Sequence, residues 1–296
     1  MAKIKLFLLS TLLTIFTAMS TLMPAVNTMA NVNMTSYNEQ IEIITLAEAE
    51  EIIINALTLD EPQTRSISTN RNVLEKLELF TFNSNGQRFN MDNNQLVQTY
   101  IDNGIYEYKN NQFITYLLNS SEYDTTQYLL DNKVYTRYNL TDEIRCETYN
   151  EYNSGTVTVF NSLFLEDAFK YVYTNDVEKI INESGYTLNL DADFKGYMYL
   201  TSIGHISYEQ FEQLWVQYDA WIKSLPQDVQ NAFYFNVTIN FNDNDEIIDI
   251  IINMSQGTYE SDTNSSYQDV YVVTITKTTL IVEEPQWVRD YIESQN

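Results

Sequence analysis

The chain has 296 residues with 41 acidic and 16 basic side chains, a formal net charge of −25, and only one Cys, one His, seven Gly and four Pro. A single His and a single Cys exclude a zinc finger, an H-E-x-x-H metalloprotease and an iron–sulfur centre, and glycines that never stand as G-x-G exclude the loops that cradle phosphates. So negative a chain is repelled by nucleic acid.

Residues 1–30 read as a secretory signal peptide. Lys3 and Lys5 form a positive start, Leu6 to Met19 is apolar but for Ser and Thr, and Ala30 with Thr28 makes a small-x-small cleavage site, with Ser20 after Ala18 as a second option. A spanning helix needs about 20 strongly apolar residues, which this segment lacks. No Cys near the cleavage site offers itself for acylation, and the C-terminus Ile292 to Asn296 carries no anchoring tail. The expectation is a protein released outside the membrane, secreted or at the cell surface, without a stable membrane anchor. Cleavage removes two lysines and leaves a charge of −27, which keeps the chain soluble and off anionic bilayers.

The remaining residues, 31–296, are expected to form one domain, because no repeat and no Pro/Gly-rich linker divides them. Thr45-Leu46-Ala47-Glu48 is a capping box. Leu46, Ala49, Ile52, Ile53, Ala56 and Leu57 then recur at helical spacing, so the helix has one apolar face. From Pro62 to about residue 150 the pattern is strands and tight turns. Asn103-Gly104 predicts a hairpin between Tyr100–Asp102 and Ile105–Tyr108, Asn110-Asn111 a second turn, and Asp131-Asn132-Lys133 a third. Tyr on alternating positions suits a sheet with one wet and one dry face.

Beyond residue 160 the pattern alternates. Leu163–Phe169 and Val177–Ile181 predict one or two short helices, and Gly185–Leu190 and Tyr197–Leu200 predict strands. Ser207 then opens a capping box with Gln210, and Tyr208, Phe211, Trp215, Tyr218, Ile222 and Leu225 follow on one helical stripe. A short helix runs from Ser224 and Pro226 to Phe233. Strands at Phe235–Phe241, Ile247–Met254 and, after a polar loop at 255–268, Val270–Val282 precede a terminal helical turn carrying Trp287, Val288, Tyr291 and Ile292.

Few residues invite chemistry. Cys146, which shares a strand face with Ile144 and Thr148, is expected to be a buried small apolar residue, since one thiol forms no internal disulfide. His205 would have to serve any Ser–His or Cys–His mechanism, but its place between Gly204 and a helix start suits a loop residue. Acid pairs such as Asp191 and Asp193 arise by chance among 41 carboxylates. The acidic segment Asn240–Glu246 lacks the Gly and Glu of an EF-hand, having Asp245 and Ile251 in their places, and predicts a hairpin turn. No catalytic residue, metal ligand or cofactor is expected.

The order of these elements resembles the LolA/LppX-type envelope proteins. The resemblance rests on the capped N-terminal helix, the Tyr-rich meander, Gly185-Tyr186-Thr187-Leu188, Ile239–Asn242 running into Ile247–Ile250, and the closing Lys277–Pro285. It implies an α+β fold, with a single curved antiparallel sheet, a half-barrel, and helices packed on its concave side. Members of that group carry lipids or lipoproteins, and relatives sense envelope stress. The implied function is an exported, non-enzymatic binding or carrier protein with an apolar cavity for a lipid or other hydrophobic ligand. The alternative is an envelope interaction or sensor protein with a filled core that binds another protein. Phe211, Trp215 and Tyr218 lie on the stripe that would face the concavity, as ligand-binding lid or as plain core. The chain lacks the acylated Cys of the lipoprotein members.

Overall fold

Period-two alternation organises most of the molecule. A computed structural model describes residues 40–58, 73–110, 112–121, 123–149, 162–203 and 206–295; residues 1–30, read from the sequence as a signal peptide, and both cleavage options lie outside the described residues. In chain order the elements are β1 (Gln40–Thr45), α1 (Leu46–Thr58), α2 (Val73–Leu77), β2 (Leu79–Asn90), β3 (Gln95–Lys109), β4 (Gln112–Ser120), β5 (Thr125–Leu130), β6 (Lys133–Tyr138), β7 (Ile144–Thr148), α3 (Glu166–Tyr171), β8 (Asp176–Asn182), β9 (Gly185–Asp191), α4 (Phe194–Leu200), α5 (Tyr208–Ile222), α6 (Gln227–Asn231), β10 (Tyr234–Asn242), β11 (Ile247–Glu260), β12 (Ser265–Lys277) and α7 (Gln286–Ser294). The twelve strands form one antiparallel, unclosed sheet in the order β1-β8-β9-β10-β11-β12-β2-β3-β4-β5-β6-β7. The fold is α+β, a half-barrel.

Alternate residues assign the two faces of the sheet. Phe235, Val237, Ile239 and Phe241 of β10 are buried with Ile250 and Ile252 of β11, Val273 and Ile275 of β12, and Phe80 and Phe82 of β2. The residues between them bond sideways across the other face. Thr187 donates to Asn240 (2.6 Å), Asn240 to Asp249 (2.6 Å), Thr238 to Asn189 (2.9 Å) and Asn236 to Asp191 (3.0 Å). Each such lateral pair contributes about 0.2–1 kcal/mol.

Five helices, α1 to α5, bury Ile53, Leu74, Phe169, Tyr199 and Phe211 in the core on the apolar face. The other two take the opposite parity. Before β10, α6 and Ala232 abut Ser255, whose hydroxyl donates to the Ala232 carbonyl at 2.7 Å, and Gly257, where a Cβ would collide with the Val229 carbonyl. Helix α7 seats Val288 and Trp287 against Tyr128 and Tyr135 in a second, smaller core.

Local chemistry sets several boundaries. Thr45 and Glu48 make the expected capping box, with the Thr45 amide donating to the Glu48 carboxylate at 2.8 Å. Asp131 and Asn132, both at positive φ, turn β5 into β6. Asn242 accepts from the Asn244 and Glu246 amides, which shapes the acidic segment into the expected hairpin turn.

Elsewhere long-range pairing overrides the local pattern. Asn103-Gly104 makes no hairpin: β3 runs straight through it, paired on both sides by β2 and β4, and the glycine makes room for the Tyr106 ring. Val177–Ile181 is strand, held between β1 and β9. Tyr197–Leu200 is helix, because Asp193 caps α4 by accepting from the Gly196 amide at 2.7 Å. The polar stretch 255–268 is largely strand, since β11 and β12 stay paired from Asp249↔Thr276 out to Glu260↔Ser265. β12 ends at Lys277 rather than Val282.

One ion pair anchors this long hairpin to β2. Asp269, 0% exposed, accepts from Arg88 Nε (2.7 Å), Arg88 Nη2 (2.9 Å) and Thr258 (2.6 Å). Arg88→Met strands a buried carboxylate and is expected to cost about 3–5 kcal/mol, read as a lower urea midpoint with unchanged slope.

Candidate functional site

Helix α5 begins as its sequence dictates. The Ser207 hydroxyl accepts from the Gln210 amide (3.3 Å), and the Gln210 side chain accepts from the Ser207 amide (2.9 Å). Its apolar stripe faces the core, but the three residues read as either ligand lid or plain core differ in depth. Phe211 is 1% exposed and belongs to the main core, whereas Trp215 and Tyr218 are half-buried at its border.

Rings interlock around Phe211. Its centroid lies 5.1 Å from that of Tyr199 and 5.8 Å from that of Trp215, and Trp215 reaches Phe194 at 6.1 Å. Tyr208 stacks on Tyr171 at 3.9 Å. The Tyr199 hydroxyl donates to Asp167 at 3.1 Å, and burial first, then Asp167, pushes its pKa up to about 12. Lys195 on α4 bridges to Glu212 on α5 at 2.5 Å. The Lys195 ammonium and then the Tyr208 hydroxyl hold the Glu212 carboxyl below its ordinary value of 4.5.

A second feature lies across the sheet. A cleft of about 610 Å³ opens between α7 and the β6–β7 hairpin, lined by Arg137, Ile144, Trp287, Asp290 and Tyr291 among others. Arg137 is held by Asp142 at its rim (2.5 Å), and Tyr291 meets Tyr135 edge-on at 6.0 Å. The sequence offered Trp287 and Tyr291 as an apolar helical turn. Nothing local placed them against Arg137, about 150 residues earlier in the chain.

The remaining candidates resolve into structural roles. Asp193 caps α4 and Asp191 accepts from Asn236, so this acid pair is committed to the backbone and the sheet. Cys146 is exposed, not buried. It sits on β7, the edge strand, and the smaller core under α7 stops at Tyr135. His205 and Gly204 lie outside the described residues. Among the described residues no group of three or more His, Cys, Asp or Glu is placed to hold a metal ion, and no helix is long and apolar enough to cross a membrane. No protein-family model matches the chain, and no curated protein matches it.

Two outcomes follow. Phe211→Ala is expected to cost about 3–5 kcal/mol by denaturant unfolding, and Trp215→Ala distinctly less, because half of that ring's surroundings are already solvent. The stability contributed by Glu212 is fully present above pH 4.5 and is lost as the pH falls through the lower value of the folded state. Glu212→Gln should therefore flatten the acid limb of a stability–pH curve, measured by thermal unfolding at successive pH values.

Proposed function

We propose that the protein is an exported, non-enzymatic interaction protein of the cell envelope, whose half-barrel is filled by its own side chains and which binds another protein through its surface. The observation carrying this reading is the burial of Phe211. The place a carrier would reserve for an acyl chain holds a ring packed against Tyr199 and Trp215. Its net charge of −25 favours a partner with a basic face over nucleic acid or an anionic membrane. The α7 cleft presents Arg137, Trp287 and Tyr291, the residue types that most often dominate protein interfaces.

A second reading, a carrier for a lipid or other apolar molecule, draws on the resemblance to the LolA/LppX-type proteins. It also draws on the half-burial of Trp215 and Tyr218, beside which Val216 and Trp221 stand exposed.

Native mass spectrometry of the protein purified from the culture medium separates the two. The interaction reading expects the bare polypeptide mass and no uptake of a fluorescent fatty acid. A lipid adduct that delipidation removes and fatty acid restores, with uptake weakened by Trp215→Ala, would establish the carrier instead.

A further inference from the structure

One border of the sheet is open, with apolar side chains beside it. Among the described residues β1 pairs with β8 alone. Its register runs without a shift from Gln40↔Ile181 to Thr45↔Asp176, so no bulge turns it away from a neighbour. The Leu46 amide donates to the Asn175 carbonyl at 2.9 Å, whereas the Thr45 amide points the other way, to Glu48 at 2.8 Å. Alternation then fixes the rest of the strand. Gln40, Glu42 and Ile44 bond to β8, and Ile41 and Ile43 direct their N–H and C=O groups off the sheet.

The same parity sets the side chains. Ile44 packs on the main core, so Ile41 and Ile43 stand on the outer face, 61% and 63% exposed. Ile180, opposite Ile41 on β8, is half-buried and widens this apolar patch. The other terminal strand is protected differently: β7 exposes Arg145 and Glu147, charges that discourage pairing. The single charge on β1, Glu42, shares the inner side with Gln40, from which it accepts at 2.8 Å. The outer side of β1 has no such guard.

We propose that β1 is a docking edge for an extended segment of a partner protein that alternates apolar with basic side chains and adds a strand to the sheet. This rests on the interaction reading above and gives the partner a surface apart from the α7 cleft. The outward N–H and C=O groups of Ile41 and Ile43 supply main-chain hydrogen bonds, and apolar partner residues cover Ile41, Ile43 and Ile180. Asp176 and Glu178, exposed opposite Thr45 and Ile43, set negative charge beside the patch and select basic neighbours. Lys179, the one basic residue of β8, lies over the Tyr186 ring on the inner side. A second copy fits this border poorly, because it brings its own Asp176, Glu178 and a net charge of −25.

The probe is a fluorescein-labelled peptide of alternating valine and lysine, read by fluorescence anisotropy. Saturable binding is expected, weakened about tenfold or more when every peptide amide is N-methylated, since the side chains remain and the donors are gone. Ile43→Pro removes an outward N–H and leaves the β8 ladder intact, so it should keep the wild-type circular dichroism and weaken binding about tenfold or more. Val216→Lys, on exposed α5, leaves binding unchanged. Should Ile43→Pro fail to fold, the Ile41→Lys/Ile43→Lys double variant must show the same loss. No binding by the wild type, equal binding of the N-methylated peptide, or undiminished binding by the β1 variants overturns the proposal. So does a dimer, seen by sedimentation without peptide and abolished by Ile43→Pro, which would make a second copy the occupant. These measurements read β1 alone, whereas a lipid adduct in the native mass spectrum would overturn the interaction reading, so the two fail separately.

Discussion

The structure depends on covering one face of a very wide sheet. Twelve strands at a spacing of roughly 4.8 Å would extend about 50 Å if laid flat. Among the described residues the longest helix, α5 with 15 residues, spans only about 22 Å. No single described helix shields that much apolar surface, so the sheet curls and α1 to α5 share its inner side. Curling also brings inward side chains closer together, which suits rings such as Phe80, Tyr106 and Tyr116 that pack at 5.2–5.5 Å.

The opposite face has a different solution. Along β9, β10 and β11 it is a lattice of Asn, Thr and Asp that satisfy one another and need no roof. Toward β5 and β6 the same face turns aromatic and aliphatic, with Tyr128 and Tyr135 beside Ile105 and Leu117, and there α7 returns to cover it. The cleft follows from an incomplete roof: α7 shields Tyr135 but leaves Arg137 and Ile144 at its margin. Cys146 is exposed for the same reason, being on the strand beyond that cover.

Inside and outside therefore make different contributions. The interior around Phe211 is occupied by the protein's own rings, which places recognition at the surface under the interaction reading.

What the sequence determined by itself was the chemistry of short range. The capping boxes at Thr45 and Ser207, the Asp131-Asn132 turn and the stripe Phe211-Trp215-Tyr218 all depend on residues within a few positions, whose geometry the backbone dictates. Tertiary structure decided whatever depends on partners far along the chain. Asn103-Gly104 has every local reason to turn, but two flanking strands supply hydrogen bonds on both sides and hold it extended. Tyr100–Asp102 and Ile105–Tyr108, expected as two strands of a hairpin, are thereby one continuous β3. The α7 cleft was equally hidden, since Arg137 and Trp287 meet only after the sheet has brought β6 under the C-terminal helix. Caps and turns close loops of a few residues at small entropic cost, whereas strand pairing and helix docking close loops of many tens of residues and are decided by total burial.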